Sequence, residues 1–136
     1  VILADTSAWV EFDRATGSAV DLRLTGLIRS EGPLAVTEPV IMEVVAGARS
    51  GDREADLRRL LLRFDLLRFD VAADFDAAAA IYWRCRREGV TPRGLLDCMI
   101  ASVARRHHAT LLAADADLSR VARVVGIDLD DASHPA

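Results

Sequence analysis

Apolar residues fall along this chain in two rhythms. Short apolar blocks at residues 1–4, 34–36 and 110–113 read as buried strands, with weaker strand patterns at 64–69 and 127–129. Between them apolar positions recur every three or four residues. Residues 18–29 place Val20, Leu24, Leu27 and Ile28 on one helical face, and Gly32 and Pro33 end that segment. Thr37, Glu38 and Pro39 open a second helix, with Thr37 as candidate N-cap; it runs to Ala48 and is closed by Ser50 and Gly51. Further helices are expected at 6–12, 52–63, 74–88, 95–107 and 117–125, with Gly89 and Gly126 as stops.

Strands that are apolar throughout and alternate with helices predict an α/β fold. In it a central, mostly parallel sheet is flanked by helices in three layers. The 136 residues make one domain, long enough to bury a core, with a polar tail at 130–136 expected to fray. No apolar run approaches a membrane span, and the first residues lack the basic region and apolar core of a signal peptide. Cys85 and Cys98 form no CxxC pair and read as reduced core thiols, which points to the cytoplasm.

Against this pattern several acids are misplaced. Asp5 and Asp115 each follow an apolar strand, in ILAD and LLAAD, where open parallel sheets bind ligands. Each also suits the cap of the following helix. Asp97 shares a helical face with Ile100, Ala101 and Ala104, a face that should pack on the sheet. A first-turn aspartate favoured by the helix dipole explains its position along the helix, but less well its buried side. Glu43 lies beside Pro39, Val40, Ala46 and Gly47, and an outward-reaching edge glutamate explains it about as well as function does. Asp117 is either a further ligand or another first-turn acid. Gathered at one sheet edge, such carboxylates repel and hold their protons unless a cation is present. An oxygen-only donor set suits Mg2+ or Mn2+ and not zinc. Thr6 and Ser7 stand ready to hold Asp5 by hydrogen bonds.

All 17 basic residues are arginine, so any mechanism needing a lysine within this chain is excluded. A phosphoaspartyl hydrolase lacks both its lysine and the second aspartate, whose place Ser7 takes. There is no GxxxxGK, no GxGxxG after the first strand and no GxSxG. His107 and His108 lie too far along their helix to serve Cys98 and read as exposed helix-end residues. Metal-assisted hydrolysis of a phosphodiester remains.

The ordered segments ADTSAW, EPVIMEVVAGA, RGLLDCMIASVA and LLAADADL resemble, over nearly the whole chain, a PIN-domain ribonuclease of the VapC type, the toxin of a bacterial toxin–antitoxin pair. The resemblance implies Asp5, Glu43, Asp97 and Asp115 as the catalytic quartet, with Asp117 as an additional metal ligand beside Asp5, Asp97 and Asp115. It implies one or two Mg2+ or Mn2+ ions, a PIN-like fold and a homodimer. Transfer or ribosomal RNA is the implied substrate, and a cognate VapB-type antitoxin fills the groove. Thr6 is implied to support the first aspartate, and Arg93 to touch RNA phosphate or tune the site's charge. The wording departs at Ala114, where the family often has a polar residue, and no acid is missing.

A net charge of −4 argues against a generic nucleic-acid binder, but the five candidate-site acids account for its sign. Arg84, Arg86 and Arg87, with Arg105 and Arg106, are compatible with an RNA backbone and equally with a solvated helix surface. Of these, Arg84 and Arg87 join Arg93 as candidate RNA contacts. Trp9 and Trp83 are core or dimer-interface residues. The alternative to cleavage is a PIN-like module that binds RNA or protein without cutting; weaker still is a small-substrate phosphohydrolase.

Overall fold

Every residue of β1 (Ile2–Ala4) and of β2 (Leu34–Val36) is buried, so the sheet they form is covered on both faces. The computed structural model describes residues 1–135. With β3 (Asp65–Leu66) and β4 (Thr110–Leu112) the strands stand in the order β3-β2-β1-β4, and every pairing is parallel. Ile2 sits level with Leu34 on one side and Thr110 on the other.

The chain lays down β1, β2 and β3 outward in one direction, with α1 (Thr6–Asp13), α2 (Ala19–Arg29), α3 (Glu38–Ala46) and α4 (Gly51–Leu61) as connections. It then returns through α5 (Val71–Arg87) and α6 (Leu95–Arg106) to put β4 on the far side of β1, and α7 (Ala116–Val125) follows. Strand order therefore reverses between β1 and β4. In open parallel sheets the crevice beyond the carboxyl ends at such a reversal is where ligands bind. Helices α1 to α4 pack among themselves, as do α5, α6 and α7, and α3 meets α6.

Local chemistry explains the boundaries. Ser18 caps α2 through the Asp21 N–H, and Ser50 caps α4 through that of Arg53. Gly126 ends α7 at φ +77°, a backbone that L side chains rarely adopt, and the Ile127 N–H closes on the Ala122 carbonyl. Helix α5 begins at Val71, three residues before the expected Asp74, because Asp70 caps it through the Ala72 N–H. Thr37 holds the N-cap position of α3, yet its hydroxyl makes no capping bond.

Two expectations near the end of the chain are corrected. The last strand is a single parallel bridge between Leu111 and Leu129, because Asp130 accepts from the Ala132 N–H and bends the chain away. The tail does not fray through residue 134. Ser133 Oγ accepts from the Ala113 N–H at 3.1 Å, the His134 N–H donates to the Ala113 carbonyl at 2.8 Å, and Asp130 pairs with Arg23 at 3.1 Å. These groups satisfy backbone left unpaired beyond β4. Residue 136 lies outside the described residues. The strand expected over 64–69 narrows to two exposed residues, while Phe64, Leu67 and Phe69 lean on the core.

Trp9 is fully buried, and Trp83 is exposed on α5. Cys85 and Cys98 are free and buried, and burial pushes the Cys98 thiol up to about 11. Among the described residues no helix is long and apolar enough to cross a membrane.

Candidate active site

At the reversal point the Asp5 N–H donates to the Leu112 carbonyl at 2.9 Å, tying the end of β1 to the end of β4. Asp5 then does two things. Its Oδ2 caps α1, accepting from the Ser7 N–H at 3.1 Å and the Ser7 hydroxyl at 2.7 Å. Its Oδ1 is buried and has no hydrogen-bond partner among the described residues. Capping thus occupies only one oxygen of Asp5. Burial raises the Asp5 carboxyl above its ordinary range, the Ser7 and Thr6 hydrogen bonds oppose that, and Glu43 adds repulsion. Ser7 Oγ also accepts from the Ala114 N–H at 2.9 Å, so one hydroxyl links Asp5 to the β4 terminus.

Glu43, half-buried on α3, accepts from the Thr6 hydroxyl at 2.7 Å. Asp97 sits in the first turn of α6 on the same buried side as Ile100, Ala101 and Ala104, as its spacing predicted. Its Oδ2 is a second buried oxygen without a partner among the described residues. Burial pushes its carboxyl up to about 7; Asp5, Asp115 and Glu43 push the same way, and Arg93 opposes them.

Asp115 also divides its oxygens. Oδ1 caps α7 through the Asp117 N–H at 3.0 Å, and Oδ2 accepts from Arg93 Nη2 at 2.8 Å. Asp117 turns elsewhere, with its carboxylate on Arg120 at 2.7 Å.

A cleft of about 310 Å3 gathers Asp5, Thr6, Ser7, Glu43, Arg93, Asp97 and Asp115. Asp117 does not line it, so its expected role as a further ligand has no side-chain counterpart in the cleft. Arg84 and Arg87 lie outside it in the last turn of α5, and Arg84 pairs with Glu88 at 3.3 Å. Glu11 and Val10 line the cleft without having been singled out. Their signal was available: on a helix they fall four and three residues after Ser7, on its face.

Among the described residues no three His, Cys, Asp or Glu side chains form a ready-made metal group. Thr6 and Arg93 hold two of the four carboxylates on other partners. The donor set still fits a hard divalent cation, because two buried carboxylate oxygens have no partner among the described residues and the cleft's acids offer only oxygen donors.

An open parallel α/β sheet with Asp5, Glu43, Asp97 and Asp115 lining a cleft at its reversal point is the layout this chain presents. Over residues 2–124 the chain matches the PIN domain family. It is 42% identical over 128 residues to ribonuclease VapC11 of Mycobacterium tuberculosis, covering 93% of this chain and 96% of that protein. Among solved structures it resembles VapBC2 from Rickettsia felis bound to a promoter DNA fragment, at TM-score 0.73 and 18% identity over 98% of both chains. It also resembles a toxin–antitoxin complex from Klebsiella pneumoniae, at TM-score 0.65 and 20% identity over 85% of this chain and 87% of that one. The chain belongs to the PIN-domain family and, within it, to the VapC ribonucleases.

Proposed function

We propose that the protein is an endoribonuclease toxin that hydrolyses RNA phosphodiester bonds, depends on Mg2+ or Mn2+, and is silenced by a VapB-type antitoxin. The observation that carries the metal requirement is the pair of buried oxygens, Asp5 Oδ1 and Asp97 Oδ2, that have no partner among the described residues. Burying polar groups without partners is costly, and a cation between acids removes that cost and their repulsion together. The 42% identity to a named ribonuclease supports RNA as the substrate.

In this reading Asp5, Asp97 and Asp115 hold one or two ions, and Glu43 completes the acidic quartet. When bound, such an ion lowers the pKa of water and stabilises charge on phosphate. Ser7 fixes Asp5 against the end of β4, and Thr6 fixes Glu43. The Asp117 N–H orients Asp115, while its carboxylate stays on Arg120. Two buried free thiols support a reducing, cytoplasmic setting. Exposed Phe75 and Trp83 on α5 support a contact surface for a homodimer.

The test is cleavage of total RNA and a tRNA panel, with Mn2+ or Mg2+ against EDTA and with Asp97→Asn alongside. The expected result is discrete, metal-dependent products absent from the variant. Intact RNA under every condition, with residual antitoxin excluded, would overturn cleavage in favour of binding.

A further inference from the structure

Five acids line the cleft with one cation of the chain itself, Arg93, and that cation sits on a candidate ligand. Arg93 Nη2 lies 2.8 Å from Asp115 Oδ2. The other oxygen of Asp115 is committed to capping α7. Arg93 therefore covers the one oxygen of Asp115 that is free to face the cleft. Its side chain is 66% exposed, against 13% for Asp115, so the guanidinium reaches in from solvent. It stands at a bend between Pro92 and Gly94, outside any helix or strand. Leaving Asp115 uncovers no core, and an exposed pair of this kind is weak.

We infer that Arg93 is a built-in competitor for the divalent cation: it neutralises Asp115 in the metal-free protein and must release it when metal is taken up. The inference rests on the metal-dependent reading above. A single guanidinium undercompensates Asp5, Glu43, Asp97 and Asp115, so a doubly charged ion outbids it at close range. Once released, Arg93 stands at the cleft mouth with the planar fork of donors that suits a phosphate. Metal uptake and grip on the RNA backbone are then linked through one side chain.

The test is calorimetric titration of the purified full chain with Mn2+, without RNA, for the unaltered protein, Arg93→Gln and Arg120→Gln. Arg120 is the control because it is a nearby cation paired with an acid outside the cleft lining. Competition predicts that Arg93→Gln binds Mn2+ about three- to fivefold tighter, the range of an exposed ion pair, while Arg120→Gln stays within about 1.5-fold. Thermal melts in EDTA and in saturating Mn2+ give a second readout. Arg93→Gln should melt lower than the unaltered protein in EDTA and gain more from Mn2+. Equal or weaker Mn2+ affinity in Arg93→Gln would overturn the inference and leave the metal site standing. Equal tightening in Arg120→Gln would also overturn it, since a long-range field would then suffice. Absence of Mn2+ binding in every protein would overturn both the inference and the metal-dependent reading.

Discussion

Asp74 and Asp97 occupy matching positions, each in the first turn of a long helix and each turned inward, with 0% and 8% of their surface exposed. They nevertheless titrate in opposite directions. Asp74 accepts from the Ser102 hydroxyl at 2.6 Å, from Arg106 Nε at 3.1 Å and Nη2 at 2.7 Å, and from the Asp70 N–H at 2.7 Å. Burial alone would raise its carboxyl, but these donors outweigh burial and hold it below the ordinary range. At Asp97 burial goes unopposed by such donors and neighbouring acids add to it, so its carboxyl is pushed up to about 7. A buried carboxylate with complete hydrogen bonding pins two helices together. One without it keeps its proton to higher pH. Size does not separate the two regions: Asp74 borders the larger cleft, about 590 Å3, and it has no unmet bonding there.

The largest effect should come from Asp97→Asn, which removes the acid but keeps its shape. Cleavage should fall by about 100-fold or more, since even residues that merely orient a metal ligand are worth 10–100-fold. Stability of the metal-free protein should move the other way. The folded Asp97 keeps its proton over a range where the unfolded chain has lost it, so stability declines as pH rises from about 4 to about 7 and then levels off. Asn removes this decline. In EDTA at pH 8 the variant should melt several degrees above the unaltered protein, and the gap should close near pH 4. A lower melting point at pH 8 would break the contrast with Asp74.

Asp74→Ala should do the reverse, costing stability and sparing the chemistry. It strands the buried Ser102 hydroxyl and takes its partner from the solvent-facing Arg106, and leaving a buried donor unpaired costs about 1–3 kcal/mol. Chemical denaturation would measure this. Cleavage per folded molecule at low temperature should stay within about twofold. The pH sign also inverts: the Asp74 contribution is complete above the ordinary carboxylate range and is lost as pH falls through the folded value. A large loss of cleavage in fully folded Asp74→Ala would put the second cleft in contact with the chemistry.

Ser7→Ala sharpens the comparison within the site. Ser7 gives Asp5 a little of what Asp74 receives in full, through one hydroxyl shared with the Ala114 N–H. Its loss should cost about 1 kcal/mol of stability and weaken Mn2+ binding about 10-fold, because Asp5 loses its orientation. Unchanged Mn2+ affinity would mean that the cap through the Ser7 N–H positions Asp5 alone.

Much of this was legible in the sequence, for identifiable reasons. Asp97 stood out because helical spacing put it with Ile100, Ala101 and Ala104, and burial follows spacing. Asp5 and Asp115 stood out because they end apolar strands, and the strand order puts those ends side by side. Asp74 did not, because its partners Ser102 and Arg106 are 28 and 32 residues away and belong to another helix. The tail was misjudged for a similar reason. A polar composition predicts fraying, but the carbonyl and N–H of Ala113 need partners, and only the folded sheet edge shows that Ser133 and His134 supply them. The grip of Arg93 on Asp115 depends equally on a loop whose course the sequence leaves open.

Asp117→Asn should have the smallest effect, and it tests how far the site extends. The sequence leaves Asp117 as either a further ligand or a first-turn acid, and the family resemblance implies the ligand, yet its carboxylate forms a surface pair with Arg120, a type of contact worth about 0–1 kcal/mol. What Asp117 gives the site is its N–H on Asp115 Oδ1, and asparagine keeps that bond. Mn2+ affinity should therefore change less than about threefold, whereas Asp115→Asn should cost at least about 10-fold. Equal losses in the two variants would mean that the first turn of α7 reorients on metal uptake. Arg120 would then have to yield Asp117 as Arg93 yields Asp115, and the boundary between the acids that bind metal and those that only face solvent would move by one turn of helix.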